Sequence, residues 1–205
     1  MKTSEQLNKE AEKLEAEGKF REAIILLDEA INLDPENIYA LLNRAVDKSL
    51  LEDYKGAIED YSTVIGIDPD NTLAIFNRGK NKWRLEDYSG SINDFTKAIK
   101  TKGGEHLYIE KTENSLIDTG SEFDVLMEEI KFSRGLSYYD IDSMKLAFED
   151  FSFCIQKNYE IAESYYWRGV IYLYFDMKKE GCEDLTKSKE LGDPDAITLI
   201  EENCK

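Results

Sequence analysis

One feature constrains this chain more than any other: it repeats itself. The segments REAIILLDEAINLDPEN, KGAIEDYSTVIGIDPDN and SGSINDFTKAIKTKGGE align without a gap at a spacing of 34 residues. A period of that length belongs to stacked supersecondary units, because one such unit cannot bury its own apolar face and needs a neighbour to cover it. KLAFEDFSFCIQKNYEI and KEGCEDLTKSKELGDPD are again 34 residues apart, displaced from the first three by 22 extra residues. The repeat frames therefore open at Ser4, Ile38, Thr72, Glu128 and Ala162.

Within each frame, apolar residues recur at three- and four-residue steps on both sides of a short break such as GKF or EDY, which reads as two helices joined by a tight turn. Frame position 8 holds Ala11, Ala45, Gly79, Gly135 and Gly169; position 20 holds Ala23, Ala57, Ser91, Ala147 and Gly181. Small residues at both places let two antiparallel helices approach closely. Leu27, Tyr61, Phe95, Phe151 and Leu185 at position 24 would fill the space beside them.

This pattern resembles the tetratricopeptide repeat (TPR) family, which has small residues at positions 8, 20 and 27, an aromatic near 24 and a proline at 32. Position 27 is Ala30, Val64, Ala98, Cys154 and Ser188, and Pro35 and Pro69 stand at position 32; the later frames depart there, with Gly103, Tyr159 and Asp193. The resemblance implies an all-α, right-handed solenoid of five helix hairpins forming a single domain over 1–205. Its repeats would span 4–37, 38–71, 72–105, 128–161 and 162–195, with an insertion over 106–127 and a capping helix over 194–205. In that last stretch Asp193 is expected as the helix cap and Pro194 as its first residue, with Ala196, Ile197, Leu199 and Ile200 on one face.

Charge follows the same period. Position 7 is Arg44, Arg78, Arg134 and Arg168 in repeats two to five, and position 23 is Asp60, Asp94, Asp150 and Asp184; repeat one has Glu10 and Leu26 instead. Two readings are open: an ion pair across each hairpin, or a row of arginines that receives a partner's carboxylates.

In TPR proteins the first helix of each repeat lines a concave groove, mainly through positions 2, 5, 6, 9, 12 and 13. The resemblance therefore points to Tyr39, Leu42, Asn43 and Val46 in repeat two and to Phe76, Asn77, Lys80 and Trp83 in repeat three. Repeat four offers Phe132, Leu136 and Tyr139, and repeat five Tyr166, Trp167 and Val170. Repeat one supplies Glu5, Asn8, Lys9, Glu12 and Glu15, so the groove is expected to be polar at its amino end and aromatic beyond. The expected function is a non-catalytic scaffold that binds another polypeptide there, as a monomer or a weak homo-oligomer; the alternative is a structural module that self-associates through the same surface. The acidic-terminus clamp of chaperone-binding TPR proteins is not matched, since position 5 is Asn8, Leu42, Phe76, Phe132 and Tyr166.

Other function classes find little support. With 26 Lys+Arg against 43 Asp+Glu, the net charge of −17 would repel a phosphate backbone, which argues against nucleic acid. No apolar run reaches membrane-spanning length, and the amino terminus lacks the apolar core of a secretory signal. Cys154, Cys182 and Cys204 are odd in number and share no metal-ligand spacing, so no disulfide or metal site is expected. Cys154 and Cys182 read as small packing residues, and a reducing, cytoplasmic location fits. No catalytic pattern surrounds the single histidine, His106, and no phosphate-binding loop or cofactor motif occurs. Within the insertion, Glu105 to Thr119 reads as a linker or as a lid anchored by Leu107, Tyr108, Ile109, Leu116 and Ile117. Ser121 and Asp124 read as the start of a helix that Phe123, Leu126, Met127 and Ile130 carry into repeat four, making its first helix about two turns longer than usual.

Overall fold

The computed structural model of the chain describes residues 2–101 and 125–204. Among them are eleven helices and no strand: α1 (Ser4–Ala16), α2 (Phe20–Leu33), α3 (Ile38–Leu50), α4 (Tyr54–Ile67), α5 (Thr72–Arg84), α6 (Tyr88–Lys100), α7 (Met127–Asp140), α8 (Met144–Lys157), α9 (Ile161–Tyr174), α10 (Lys178–Glu190) and α11 (Asp195–Asn203). They form two compact units, Met1–Val125 carrying α1 to α6 and Leu126–Lys205 carrying α7 to α11. In each unit consecutive helices pack in pairs, and each pair packs on the next.

Local chemistry sets the helix starts. Asn37 Oδ1 accepts the Ala40 N–H at 3.1 Å and Asn71 Oδ1 the Ala74 N–H at 3.0 Å, so the first helices α3 and α5 open on side-chain caps. Asp53 and Asp87 do the same for α4 and α6 through Gly56 and Gly90. Such a cap is worth about 1 kcal/mol. The turn inside each pair places frame position 15 in the left-handed region: Gly18 (φ 73°), Glu52 (64°), Glu86 (62°), Asp142 (59°) and Asp176 (59°). Only the first of these is a glycine, so the other turns hold a conformation that a side chain disfavours. The following residue closes the turn, as where the Asp53 N–H donates to Lys48 O at 2.8 Å and the Asp87 N–H to Lys82 O at 2.9 Å.

The small positions act as expected. Ala11, Ala23, Ala45, Ala57 and Ala147 are fully buried, and the position-24 side chains Leu27, Tyr61, Phe95, Phe151 and Leu185 are at most 1% exposed. In the last pair both sides are glycine: a Cβ on Gly181 would lie 2.9 Å from Leu173 Cδ2 and 3.1 Å from Gly169 O. Even alanine would force α9 and α10 apart.

Three expectations need correction. Leu126 is extended (φ −67°, ψ 141°) and α7 begins at Met127, so the first helix of this pair has no two-turn extension; Ser121, Phe123 and Asp124 lie outside the described residues. The expectation of no disulfide also fails, because Cys182 on α10 is disulfide-bonded to Cys204, which follows α11, with Cα atoms 5.7 Å apart. Two cysteines 22 residues apart carry no pairing signal in the sequence, and only the return of α11 along α10 brings them together. The bond removes the basis for assigning a reducing compartment. Cys154 is buried and unbonded, its thiol pushed up to about 12, first by burial and then by the Asp150 carboxylate. α11 also opens one residue later than expected, with Pro194 at its N-cap and Asp195 as its first residue, while the Asp193 carboxylate accepts the Asp195 N–H at 3.0 Å.

Candidate functional site

The arginines are not a ligand row. Arg44 Nε and Nη2 donate to Asp60 at 2.9 and 2.6 Å, and Arg78 grips Asp94 in the same two-pronged way at 2.8 and 2.7 Å. In the second unit Arg134 holds Asp150 at 2.8 and 2.9 Å, and Arg168 holds Asp184 at 2.6 and 2.9 Å. All four carboxylates are buried. Lys48 and Lys82 each add a further bond to Asp60 and Asp94 at 2.8 Å. Planar guanidinium matched to planar carboxylate satisfies both groups where water cannot.

The expected groove residues divide into three groups. Leu42, Phe76 and Phe132 are buried, at 6%, 2% and 9% exposure, and serve the packing of their units instead of offering surface. Asn43, Asn77, Trp83, Leu136, Tyr139, Tyr166, Trp167 and Val170 are half-buried. Tyr39 and Val46 on α3, at 43% and 42%, and Lys80 on α5 are exposed. Lys80 Nζ lies 5.2 Å from the centre of the Phe76 ring, and the Arg84 guanidinium lies 5.3 Å from that of Trp83.

In the second unit the aromatics pack mainly on one another. Trp167 stacks on buried Phe151 with centroids 6.2 Å apart and meets Tyr139 and Tyr166 edge-on at 4.8 and 5.2 Å. Phe132 contacts Phe151 and Tyr159, so Tyr159, which replaces the expected proline, is half-buried against the same cluster. Burial raises the Tyr166 hydroxyl pKa, and the Asp195 and Asp193 charges add to the shift. An aromatic stripe on a first helix thus divides between core and surface, and much of it is already covered.

Sequence reasoning passed over frame position 10, where the structure puts buried polar groups. Asn81 Oδ1 accepts Ser49 Oγ at 2.9 Å, linking α5 to α3. Asp47 is 2% exposed, and its Oδ2 has no hydrogen-bond partner. Position 10 points between adjacent first helices, outside the set of positions that defines the expected groove. The supposed lid residues Leu107, Tyr108, Ile109, Leu116 and Ile117, together with His106, lie outside the described residues.

Paired helices with small residues at positions 8 and 20, a bulky side chain at 24 and a tight turn at 15 define the TPR-type helical fold. Solved structures carry the same conclusion. MamA from Desulfovibrio magneticus RS-1 superposes with a TM-score of 0.75 at 15% identity, covering 92% of this chain and 94% of that one. YrrB, described as a TPR protein with an unusual peptide-binding site, gives 0.74 at 17% identity over 96% and 90%. A tetratricopeptide repeat protein from Parabacteroides merdae gives 0.60 at 18% identity over 98% and 84%. At these identities the likeness is one of fold. No protein-family profile matches the sequence, and no curated protein does.

Proposed function

We propose that this chain is a non-catalytic scaffold that binds another polypeptide along the first-helix face of its amino-terminal unit. The observation that carries the reading is Tyr39 and Val46, two turns apart on α3 and both exposed. An aromatic and an aliphatic side chain open to solvent on one helix make up the apolar part of a peptide-docking surface. The TPR fold supports it, since YrrB shares that fold and is described as having a peptide-binding site. No helix among the described residues is long and apolar enough to cross a membrane, which fits a partner met in water.

The test is affinity capture on the full chain and on Tyr39→Ala, Trp83→Ala and Tyr166→Ala variants, with bound proteins quantified by mass spectrometry. A specific partner is expected on the parent chain and is expected to fall away with Tyr39→Ala and Trp83→Ala. Equal capture by all variants would overturn the assignment of the surface. Sedimentation of the isolated chain separates the alternative, in which a second copy occupies the face: a dimer that Tyr39→Ala returns to monomer would favour self-association.

A further inference from the structure

At the amino end of the first unit, α1 and α3 carry matching polar rungs. Asn43 Nδ2 on α3 donates to Asn8 Oδ1 on α1 at 3.2 Å, and Asn8 Nδ2 donates onward to Glu12 Oε1 at 2.9 Å. One turn along, Glu12 follows Asn8 by four residues and Asp47 follows Asn43 by four, so the next rung consists of two carboxyls, with Glu15 three residues beyond Glu12 on the same face. Asp47 is almost wholly buried and its Oδ2 is unpartnered; Glu15 Oε1 is likewise buried without a partner. Among the described residues no cation pairs with either carboxyl: Lys9 is held by Glu5 at 2.7 Å and Lys48 by Asp60 at 2.8 Å.

An unpaired buried carboxyl is costly, and its charge is tolerated only where a cation or several donors meet it. Burial pushes Asp47 up to about 7; burial, with the Asp47 and Glu12 charges adding to it, pushes Glu15 up to about 7. The pair is thus poised between neutral and charged, and a cation would tip it to the charged form. A polypeptide on this face supplies its cations as ammonium or guanidinium groups, each able to donate several hydrogen bonds to carboxyl oxygens. Val46, adjacent to Asp47, is exposed, and so is Tyr39 one turn before Asn43.

We infer that Asp47 and Glu15, with Glu12 beside them, form a receptor for an organic cation of the bound polypeptide: a lysine or arginine side chain, or a free amino terminus, set next to an apolar residue that covers Val46. The inference rests on the scaffold reading above and names the chemistry of the partner that this face takes. Charge complementarity argues for it, since a basic group supplies what the two carboxyls lack.

A random dodecapeptide library displayed on phage, panned on the full chain and on the Asp47→Asn/Glu15→Gln variant, tests it. Both substitutions keep side-chain shape and remove charge, and circular dichroism checks that the helices persist. Wild type is expected to enrich peptides that place a basic residue beside an aromatic or aliphatic one, and the variant to enrich apolar peptides without that preference. In a synthetic peptide from the enriched pool, replacing lysine by norleucine should weaken binding about tenfold or more to wild type and leave the variant unaffected. Acetylating the peptide's amino terminus separates terminus from side chain. Enriched peptides without basic bias, or an equal norleucine effect on both proteins, would overturn the cation receptor and leave the scaffold standing. Recovery of no peptide by either protein would overturn both.

Discussion

Asp94 is fully buried, and its removal is measurable. Its side chain is 1% exposed and accepts three charge-assisted bonds: from Arg78 Nε at 2.8 Å, Arg78 Nη2 at 2.7 Å and Lys82 Nζ at 2.8 Å. Arg78→Ala removes two of them and leaves Lys82, so the loss should be about 2–3 kcal/mol, below the full cost of stranding a buried carboxylate. Asp94→Ala strands Arg78 and Lys82, whose side chains are only 18% and 20% exposed, and should cost about 3 kcal/mol. In the double mutant the stranding penalty is not counted twice. The double loss should fall short of the sum of the singles by about 2 kcal/mol, inside the 0.5–3 kcal/mol range of contacting pairs. Urea unfolding followed by far-UV circular dichroism on the four proteins measures the cycle. Arg78→Met/Asp94→Leu, which follows Leu26 at position 23 of the first repeat, should recover to within about 1 kcal/mol of wild type. Additive single losses would refute the reasoning, because they would mean that the bidentate pair carries no coupling.

Three further outcomes are expected. Glu86→Gly should raise stability by up to about 1 kcal/mol, because glycine relieves the left-handed turn at φ 62°, and Asp176→Gly should gain less, since aspartate tolerates that region better; thermal melts decide, and a loss from Glu86→Gly would count against strain in the turn. Asp47, raised from 3.8 to about 7, binds more protons folded than unfolded, so stability should fall as pH rises from about 4 to 7 and stay low above that; the Asp47 share is at most about 4 kcal/mol, and Asp47→Asn should flatten the profile in a pH series of urea melts. Reducing the Cys182–Cys204 bond opens a loop with a sequence separation of 22 and should weaken the docking of α11 by up to about 3 kcal/mol, seen as faster amide exchange in α11 with reductant and unchanged exchange in α3.

Much of the fold was legible because it depends on local rules repeated in register. α1, α3 and α5 open at Ser4, Ile38 and Thr72, the residues that open the first three frames, and α7 and α9 open one residue before theirs. Co-occurrence of arginine and aspartate at positions 7 and 23 offered the pair as one of two readings, because repeat one lacks both, and the side-chain geometry decided between them. The groove was harder to read. Position 5 sits on the boundary between the hairpin core and the open face, so whether Leu42 or Phe76 is exposed depends on the volume of its neighbours, which periodicity does not encode. Leu42 packs with Ala45, Tyr61 and Ala74, and Phe76 meets Phe95 at 5.7 Å. Asp47 escaped notice because one carboxylate in a chain of 43 acidic residues has no signature until its burial is seen. The disulfide escaped for a related reason, since it depends on where α11 docks.

Arg44, Arg78 and Arg168 do one thing more than hold their own aspartates. Arg44 Nη1 donates to Asp28 at 2.6 Å, Arg78 Nη1 to Ser62 at 3.1 Å and Arg168 Nη1 to Ser152 at 3.5 Å, and these acceptors lie on the second helix of the preceding pair, at frame position 25. Within each unit, these pairs carry their own latch onto their predecessor. The pair α1 and α2 has neither the arginine nor the aspartate that orients it, with Glu10 and Leu26 in their places. The 34-residue segment is therefore a self-contained building block: a tandem duplication copied in frame arrives with its fastener already attached, and the copy needs only a short polar acceptor on the block before it. A chain built this way can lengthen at its carboxyl-terminal side one block at a time without first evolving a new interface.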